Sequence, residues 1–389
     1  MERCNMISLA IPNLTGNEKS YLDNCIDTTF VSSVGEYVNK FEEMVAAATG
    51  SEMAVATSSG TTGLHAALTA VGVKHGELVI IPSFTFIASA NAVRHCGADP
   101  WLMDISANDW CMDPELVRSE IDAHCKCGDD GNIYHSETGK RIAAIMPVYT
   151  LGNIPDMAAF RQIADAYGLP LVVDAACAIG ATYGGDNFGK IADLSVISFN
   201  GNKTVTCGGG GAVVGKNKEL LDQVRHLTTT ARVWPDYDFD EVGFNYRMTN
   251  IQAAVGVAQM ERLDSFVNTK RKVRKYYEEK LEDIARKNGL AFFPTTEVSS
   301  CWFSGIVLLE GKELDTAKEI CSKLKDNGIE ARSFWKPVHL QKPYSSCPKS
   351  TMNVTEALWQ RIITLPCSTG ITDEELEVVV GVLGGILLH

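Results

Sequence analysis

The stretch Ser198-Phe-Asn-Gly-Asn-Lys203-Thr-Val-Thr-Cys-Gly208-Gly-Gly-Gly211 decides how this chain is read. Leu194, Val196, Ile197 and Phe199 lead into it as an apolar, β-branched run, the pattern of a buried strand. Lys203 follows the end of that strand, and four glycines follow the lysine. Glycine lets a backbone approach a ligand closely. A lysine in a partly desolvated pocket can lose its proton and form a Schiff base. The combination points to a pyridoxal phosphate (PLP) site. Most lysines beside glycines are surface residues, so the rest of the chain has to agree.

Leu169-Pro-Leu-Val-Val-Asp174-Ala-Ala-Cys-Ala-Ile-Gly180 reads as a second short buried strand with Asp174 at its carboxyl end. Open α/β sheets bind ligands outside the carboxyl ends of their strands. PLP needs a carboxylate against its pyridine nitrogen, which keeps the ring an electron sink. Asp174 suits that role, and its plainer reading is a helix N-cap. Ser58-Ser-Gly60-Thr61-Thr62-Gly-Leu64 opens a third segment, followed by apolar residues at helical spacing (Leu64, Ala67, Leu68, Val71). A helix that begins in Ser, Thr and Gly offers free N–H groups and a positive dipole end to a phosphate. An ordinary helix cap is the alternative.

In this order the three segments resemble the sugar-nucleotide aminotransferases of the DegT/StrS type, a fold-type I PLP family. Ile81-Pro-Ser-Phe-Thr-Phe86 resembles the family segment whose aromatic, here Phe86, stacks on the cofactor ring. Gly243-Phe-Asn245-Tyr-Arg247 resembles the loop that reaches a neighbouring subunit's site. Phe30-Val-Ser-Ser-Val-Gly35 through Glu42, with Asn200-Gly-Asn202-Lys203, looks most like the LegC/PglE-type 4-aminotransferases. The resemblance runs from about Ile7 to the C-terminal region.

It implies a large PLP-binding domain over 1–255, with a mostly parallel sheet flanked by helices. A linking helix and smaller α/β domain would occupy 256–389. Lys203 and Asp174 would be catalytic. Gly60, Thr61, Thr62 and Ser198 would bind the phosphate, with Asn245 contributed by the partner of a homodimer. Cys177 stands near the cofactor's 3′-oxygen, where relatives carry Gln, Glu or His. Tyr149 stands where relatives commonly carry His. Asn202, Arg247, Tyr149, Trp335 and His339 are candidate substrate contacts, the last two from Arg332-Ser-Phe-Trp335-Lys-Pro337-Val-His339. The implied reaction moves an amino group from L-glutamate to a UDP-linked 4-keto-6-deoxy-N-acetylhexosamine. Amination at C3, another keto sugar nucleotide or other PLP chemistry on the same fold are alternatives.

Composition agrees with a soluble enzyme. The chain has 389 residues, 45% of them hydrophobic, and a formal net charge of −13. That charge argues against nucleic acid or an anionic membrane as partner. No apolar run approaches the ~20 residues of a membrane span, and Met1-Glu-Arg-Cys-Asn-Met lacks the core of a signal peptide. Twelve scattered cysteines suit reduced thiols in the cytoplasm. The one cluster, His124-Cys125-Lys-Cys127 with His135, has a single C-x-C and reads as a polar surface hairpin, not a metal site. Gly208–Gly211 lacks the G-x-G-x-x-G spacing of a dinucleotide-dependent oxidoreductase, which ranks that alternative low.

Strands are predicted over Leu78–Pro82, Ala143–Val148, Leu171–Asp174, Leu194–Phe199 and Gly211–Val214. A long helix is predicted from Asn250 to Lys287, with Val273, Tyr277, Leu281 and Ile284 on one face. Its basic cluster from Lys270 to Lys275 reads as solvated.

Overall fold

The computed structural model describes residues 6–233, 235–309 and 314–388, so the first five residues of the chain start lie outside it. Seven strands make the central sheet. Four run in the order Ala54–Thr57, Gly211–Val214, Leu194–Ser198 and Val172–Asp174; three more run Ile142–Ile145, Leu78–Pro82 and Asp99–Met103. The parallel bridges Ile145 to Leu171 and Val148 to Asp174 join the two sets. Only Gly211–Val214 runs antiparallel to its neighbours. Every residue of Leu78–Pro82 and Leu194–Ser198 is buried, as strands covered by helices on both faces must be. The predicted strands all form: Leu78–Pro82 and Gly211–Val214 match to the residue, two others lose one residue at one end, and the predicted Ala143–Val148 runs Ile142–Ile145.

Glycine is required where the strand Gly211–Val214 begins. A Cβ on Gly211 would lie 2.6 Å from the Ser59 carbonyl oxygen. The strand can therefore pass directly beneath the start of the helix Gly60–Ala70.

The C-terminal part carries a four-stranded antiparallel sheet, ordered Leu290–Phe292, Ser304–Leu308, Ile362–Leu365 and Arg332–Ser333. Residues near the chain start pack here too. Ile7 bridges to Ile329, and Cys367 N donates to the Leu9 carbonyl.

The predicted long helix is two helices, Asn250–Met260 and Leu263–Asn288, interrupted at Glu261 and Arg262. Thr249 and Gln252 form a reciprocal capping box at the first. Along the second, Phe266, Val267, Val273, Tyr277, Leu281 and Ala285 form the buried stripe. Lys270 lies on that same stripe and is buried, which corrects the reading of a wholly solvated basic face. Its Nζ donates to the carbonyls of Trp302 at 2.9 Å and Cys367 at 2.6 Å. Arg271 bonds the Ser299 and Gly180 carbonyls, and Arg274 the Thr295 carbonyl. These cations hold the loop ahead of the strand Ser304–Leu308 in place.

Candidate active site

The carboxyl ends of Val172–Asp174 and Leu194–Ser198 lie side by side, because those strands pair in parallel with Val196 opposite Asp174. Asp174 therefore emerges next to the turn that carries Lys203. The carboxylate is nearly buried, at 5% exposure, and accepts from Ser89 Oγ at 2.6 Å and Ala176 N at 3.0 Å. Burial pushes its pKa up; Ser89, the Ala176 N–H and the Lys203 charge pull in the other direction without reversing it. A buried carboxylate so placed gains from a cation in front of it.

Lys203 Nζ lies 3.1 Å from Cys177 Sγ and 3.7 Å from the centroid of the Trp302 ring. Burial raises the Cys177 thiol, and the neighbouring lysine opposes that rise. At neutral pH Cys177 is therefore a thiol rather than a thiolate.

Ser198 ends its strand against the helix Gly60–Ala70. A Cβ on Gly60 would come 3.0 Å from Ser198 Cβ, so the bare glycine keeps the helix start and the serine hydroxyl adjacent. First-turn N–H groups have no partners within a helix. Ser59 caps this one, and Thr62 closes the capping box: its N–H donates to Ser59 Oγ and its Oγ1 accepts from Ser59 N. Thr62 thus fixes the helix start through the cap, leaving Gly60 and Thr61 at its mouth.

Phe86 stands at the end of the loop after Leu78–Pro82 with its side chain open, 57% exposed for the residue. Its ring lies 6.3 Å from Trp335, which packs at a tilt against Phe334 at 4.2 Å and neighbours Trp302 at 6.1 Å. Asn202 is half-buried, and its carbonyl accepts from the Trp302 indole N–H at 2.8 Å. Asn245 is exposed at a bridge with Thr229.

Three candidate substrate contacts are placed elsewhere. Tyr149 donates its backbone N–H to the Asp174 carbonyl, yet its ring is fully buried, edge-on to Phe188. It belongs to the core, not to the cleft. Arg247 bonds Glu42 Oε1 at 2.6 Å in a buried pair that Arg225 also joins. His339 is buried with both ring nitrogens engaged, Nδ1 with Ser83 Oγ at 2.6 Å and Nε2 with Glu356 at 3.1 Å. In each case the polar group is already satisfied within the chain or faces the packed interior.

Two residues of the site escaped the sequence reading. Ser89, one helical turn after Phe86, orients Asp174, and that i, i+3 spacing was available as a signal. Trp302 comes from the far C-terminal part, and nothing in its local sequence tied it to Lys203. A groove of about 760 Å³ between the helices Glu36–Thr49 and Leu263–Asn288 contains none of these residues.

The DegT/DnrJ/EryC1/StrS aminotransferase family matches residues 12–384 of the chain. This protein belongs to that family. It is 36% identical over 387 residues to the GDP-perosamine synthase of Caulobacter vibrioides, covering 98% of each chain. To the GDP-perosamine synthase of Escherichia coli O157:H7 it is 34% identical over 368 residues, 94% of each. Among solved structures it resembles DesI, determined in the presence of its TDP-sugar product, with TM-score 0.85 and 26% identity over 98% of this chain and 93% of that one. It is a PLP-dependent sugar aminotransferase. No helix among the described residues is long and apolar enough to cross a membrane.

The residues present fit the cofactor. A buried carboxylate lies within electrostatic reach of a lysine, an open aromatic side chain stands at the start of the helix whose Ser89 bonds that carboxylate, and a glycine helix start lies next to a serine side chain.

Proposed function

We propose that this aminotransferase moves the amino group of L-glutamate to C4 of a nucleotide-linked 4-keto-6-deoxyhexose, with Lys203 and Asp174 as its catalytic pair. The observation that carries the reading is the meeting of Lys203 and the buried Asp174 carboxylate at the ends of adjacent parallel strands. When bound, PLP supplies the electron sink for the carbon that loses its proton. Asp174 would hold the ring nitrogen's positive charge, with Ser89 fixing the carboxylate's orientation. Gly60, Thr61 and Ser198 would receive the phosphate, and Phe86 would cover the ring face. Lys203 Nζ would hold the cofactor, take the proton leaving the donor's α-carbon, and in the second half-reaction deliver one to C4 of the sugar. A positioned base contributes about 10²–10⁴-fold.

The names of the two relatives favour GDP as the carrier over UDP. A UDP-linked N-acetylated sugar is the second reading, favoured by the Asn200–Lys203 segment. Trp335, half-buried in its aromatic cluster, is the proposed platform for base or sugar. Exposed Asn245 is proposed to complete the partner's site in a homodimer acting in the cytoplasm.

The test begins with the visible absorption band of the PLP-loaded protein, which L-glutamate should bleach. Borohydride reduction of a separate PLP-loaded sample that has seen no donor, followed by peptide mass spectrometry, should place the cofactor on Lys203. GDP-, UDP- and dTDP-linked 4-keto-6-deoxy sugars supplied next should restore the band for the true acceptor. Lys203→Ala should abolish the band and lower turnover by more than about 10⁴-fold. Turnover retained in that variant rejects the assignment.

A further inference from the structure

The Lys203 ammonium lies between two groups of unequal power. Cys177 offers a thiol at 3.1 Å, a weak partner. On the other side it meets the face of Trp302, the ring type that attracts a cation best, 3.7 Å from the centroid.

That residue is held at its ring nitrogen and at both of its backbone polar groups. Its Nε1–H donates to the Asn202 carbonyl at 2.8 Å, and its backbone N–H to the Leu151 carbonyl at 3.1 Å. The Trp302 carbonyl in turn accepts from the buried Lys270 ammonium at 2.9 Å. The chain enters through Cys301 at φ 52°, and the accepting carbonyl belongs to Leu151 at φ 59°. Both are non-glycine residues in left-handed backbone, a strained state that persists where surrounding structure enforces it. Two strained residues therefore bracket the bond that holds this tryptophan over the lysine.

We propose that Trp302 is a positioning residue for Lys203. Its ring face is the resting place of the Nζ ammonium whenever the amine is not joined to the cofactor. The lysine has to leave the cofactor, carry a proton and return. A flexible four-carbon stem would otherwise sample many rotamers, and the indole face confines it beside the reacting carbon. Because Trp302 precedes the strand Ser304–Leu308 while Lys203 follows Leu194–Ser198, packing of the C-terminal part sets where the lysine waits. The inference rests on the reading that Lys203 is the cofactor-bearing amine.

The test uses the full-length protein loaded with pyridoxamine 5′-phosphate, which leaves Lys203 free without any donor. Trace acetic anhydride labels the lysines, and mass spectrometry gives the labelling of Lys203 relative to the median of the other lysines. Trp302→Leu should raise that ratio roughly three- to tenfold, the loss of a partly desolvated cation–π contact. Trp302→Phe keeps a ring face but lacks the indole N–H, and should stay within about twofold of the parent. General loosening of the fold raises all lysines together and leaves the ratio unchanged. If Leu proves insoluble, Trp302→Met removes the ring and keeps the bulk. An unchanged ratio in the ring-less variant, or a Phe variant that behaves like it, overturns the proposal. Borohydride reduction of the PLP-loaded parent is the separate control: cofactor found on another lysine removes the underlying reading, whatever the labelling shows.

Discussion

The sheet side of the site and the side that closes over it use charged residues in opposite ways. On the sheet side, Asp174 ends one strand and Lys203 follows the end of its parallel neighbour, where the lysine charge acts on the carboxylate. On the closing side, Lys270, Arg271 and Arg274 face backbone carbonyls and serve as struts for the loop that carries Trp302. Charge on the first side is what the proposed chemistry uses. On the second it replaces the backbone partners that an irregular buried loop lacks. A strand end leaves its side chains aimed at an open crevice, whereas a helix stripe aims them into packed protein whatever their polarity.

The strongest test of this contrast is Asp174→Asn, which keeps the shape, removes the charge, and leaves one accepting oxygen with an NH2 that Ser89 Oγ can accept from instead. It should lower kcat by about 10²–10³-fold, the usual loss when a preorganised electrostatic contact disappears. The same variant carries a pH signature in cofactor-free protein. Burial raises the Asp174 pKa, so between the ordinary value of 3.8 and the raised one the folded state binds more protons than the unfolded state. Stability attributable to this group is then present below 3.8 and falls as pH rises through the folded pKa. Cofactor-free Asp174→Asn should therefore melt higher than the parent at pH 7, with the gap closing in acid. A lower melting temperature at pH 7 would show that the carboxylate is a structural strut, and the contrast would break.

Arg247→Ala tests the contrast from the other side. Glu42 is a buried carboxylate that accepts from Arg247 at 2.6 Å, Arg225 at 2.9 Å and Ala56 N at 2.8 Å. Breaking a buried pair costs about 3–5 kcal/mol, and the remaining arginine should hold the loss to roughly 2–3 kcal/mol by denaturant titration. KM for the keto sugar should stay within about twofold once folded protein is counted. A large rise in KM with unchanged stability would return Arg247 to the substrate.

Smaller again is Lys270→Met. Methionine fills the space but leaves two buried carbonyls short of a donor, at about 1–3 kcal/mol. Lys275→Met, five residues on with its side chain 72% exposed, should stay within about 0.5 kcal/mol. Equal effects at the two positions would make Lys270 an ordinary surface lysine.

These cases mark where residue pattern carried information. Short apolar runs bounded by Gly, Pro and polar residues located every predicted strand and put Asp174 and Lys203 at their ends, because alternation and burial are local properties. Lys270 was legible too: it stands three and seven residues before Val273 and Tyr277, on the stripe those residues define. Residue type outweighed spacing in that reading. The break at Glu261 and Arg262 has no glycine or proline to announce it. Trp302 could not be found locally, since its contact with Lys203 spans 99 residues (302 minus 203) and depends on how the two parts pack.

The finest test is Tyr149→Phe, where one hydroxyl separates two readings. Its backbone is at the site, bonded to the Asp174 carbonyl, and Val148 bridges to Asp174 beside it. Its ring is at 0% exposure against Phe188, and burial drives its hydroxyl pKa well up. Among the described residues that hydroxyl has no hydrogen-bond partner. A residue used by substrate would present the group to the cleft, and its loss would raise KM by tenfold or more, since an unpaired polar partner costs about 1–3 kcal/mol. A core residue whose hydroxyl is unsatisfied behaves in reverse: removing it relieves desolvation, so stability should hold or rise by up to about 1 kcal/mol. Unchanged kcat and KM with an equal or higher denaturation midpoint would show that adjacency of backbone to a catalytic residue says little about where the side chain works.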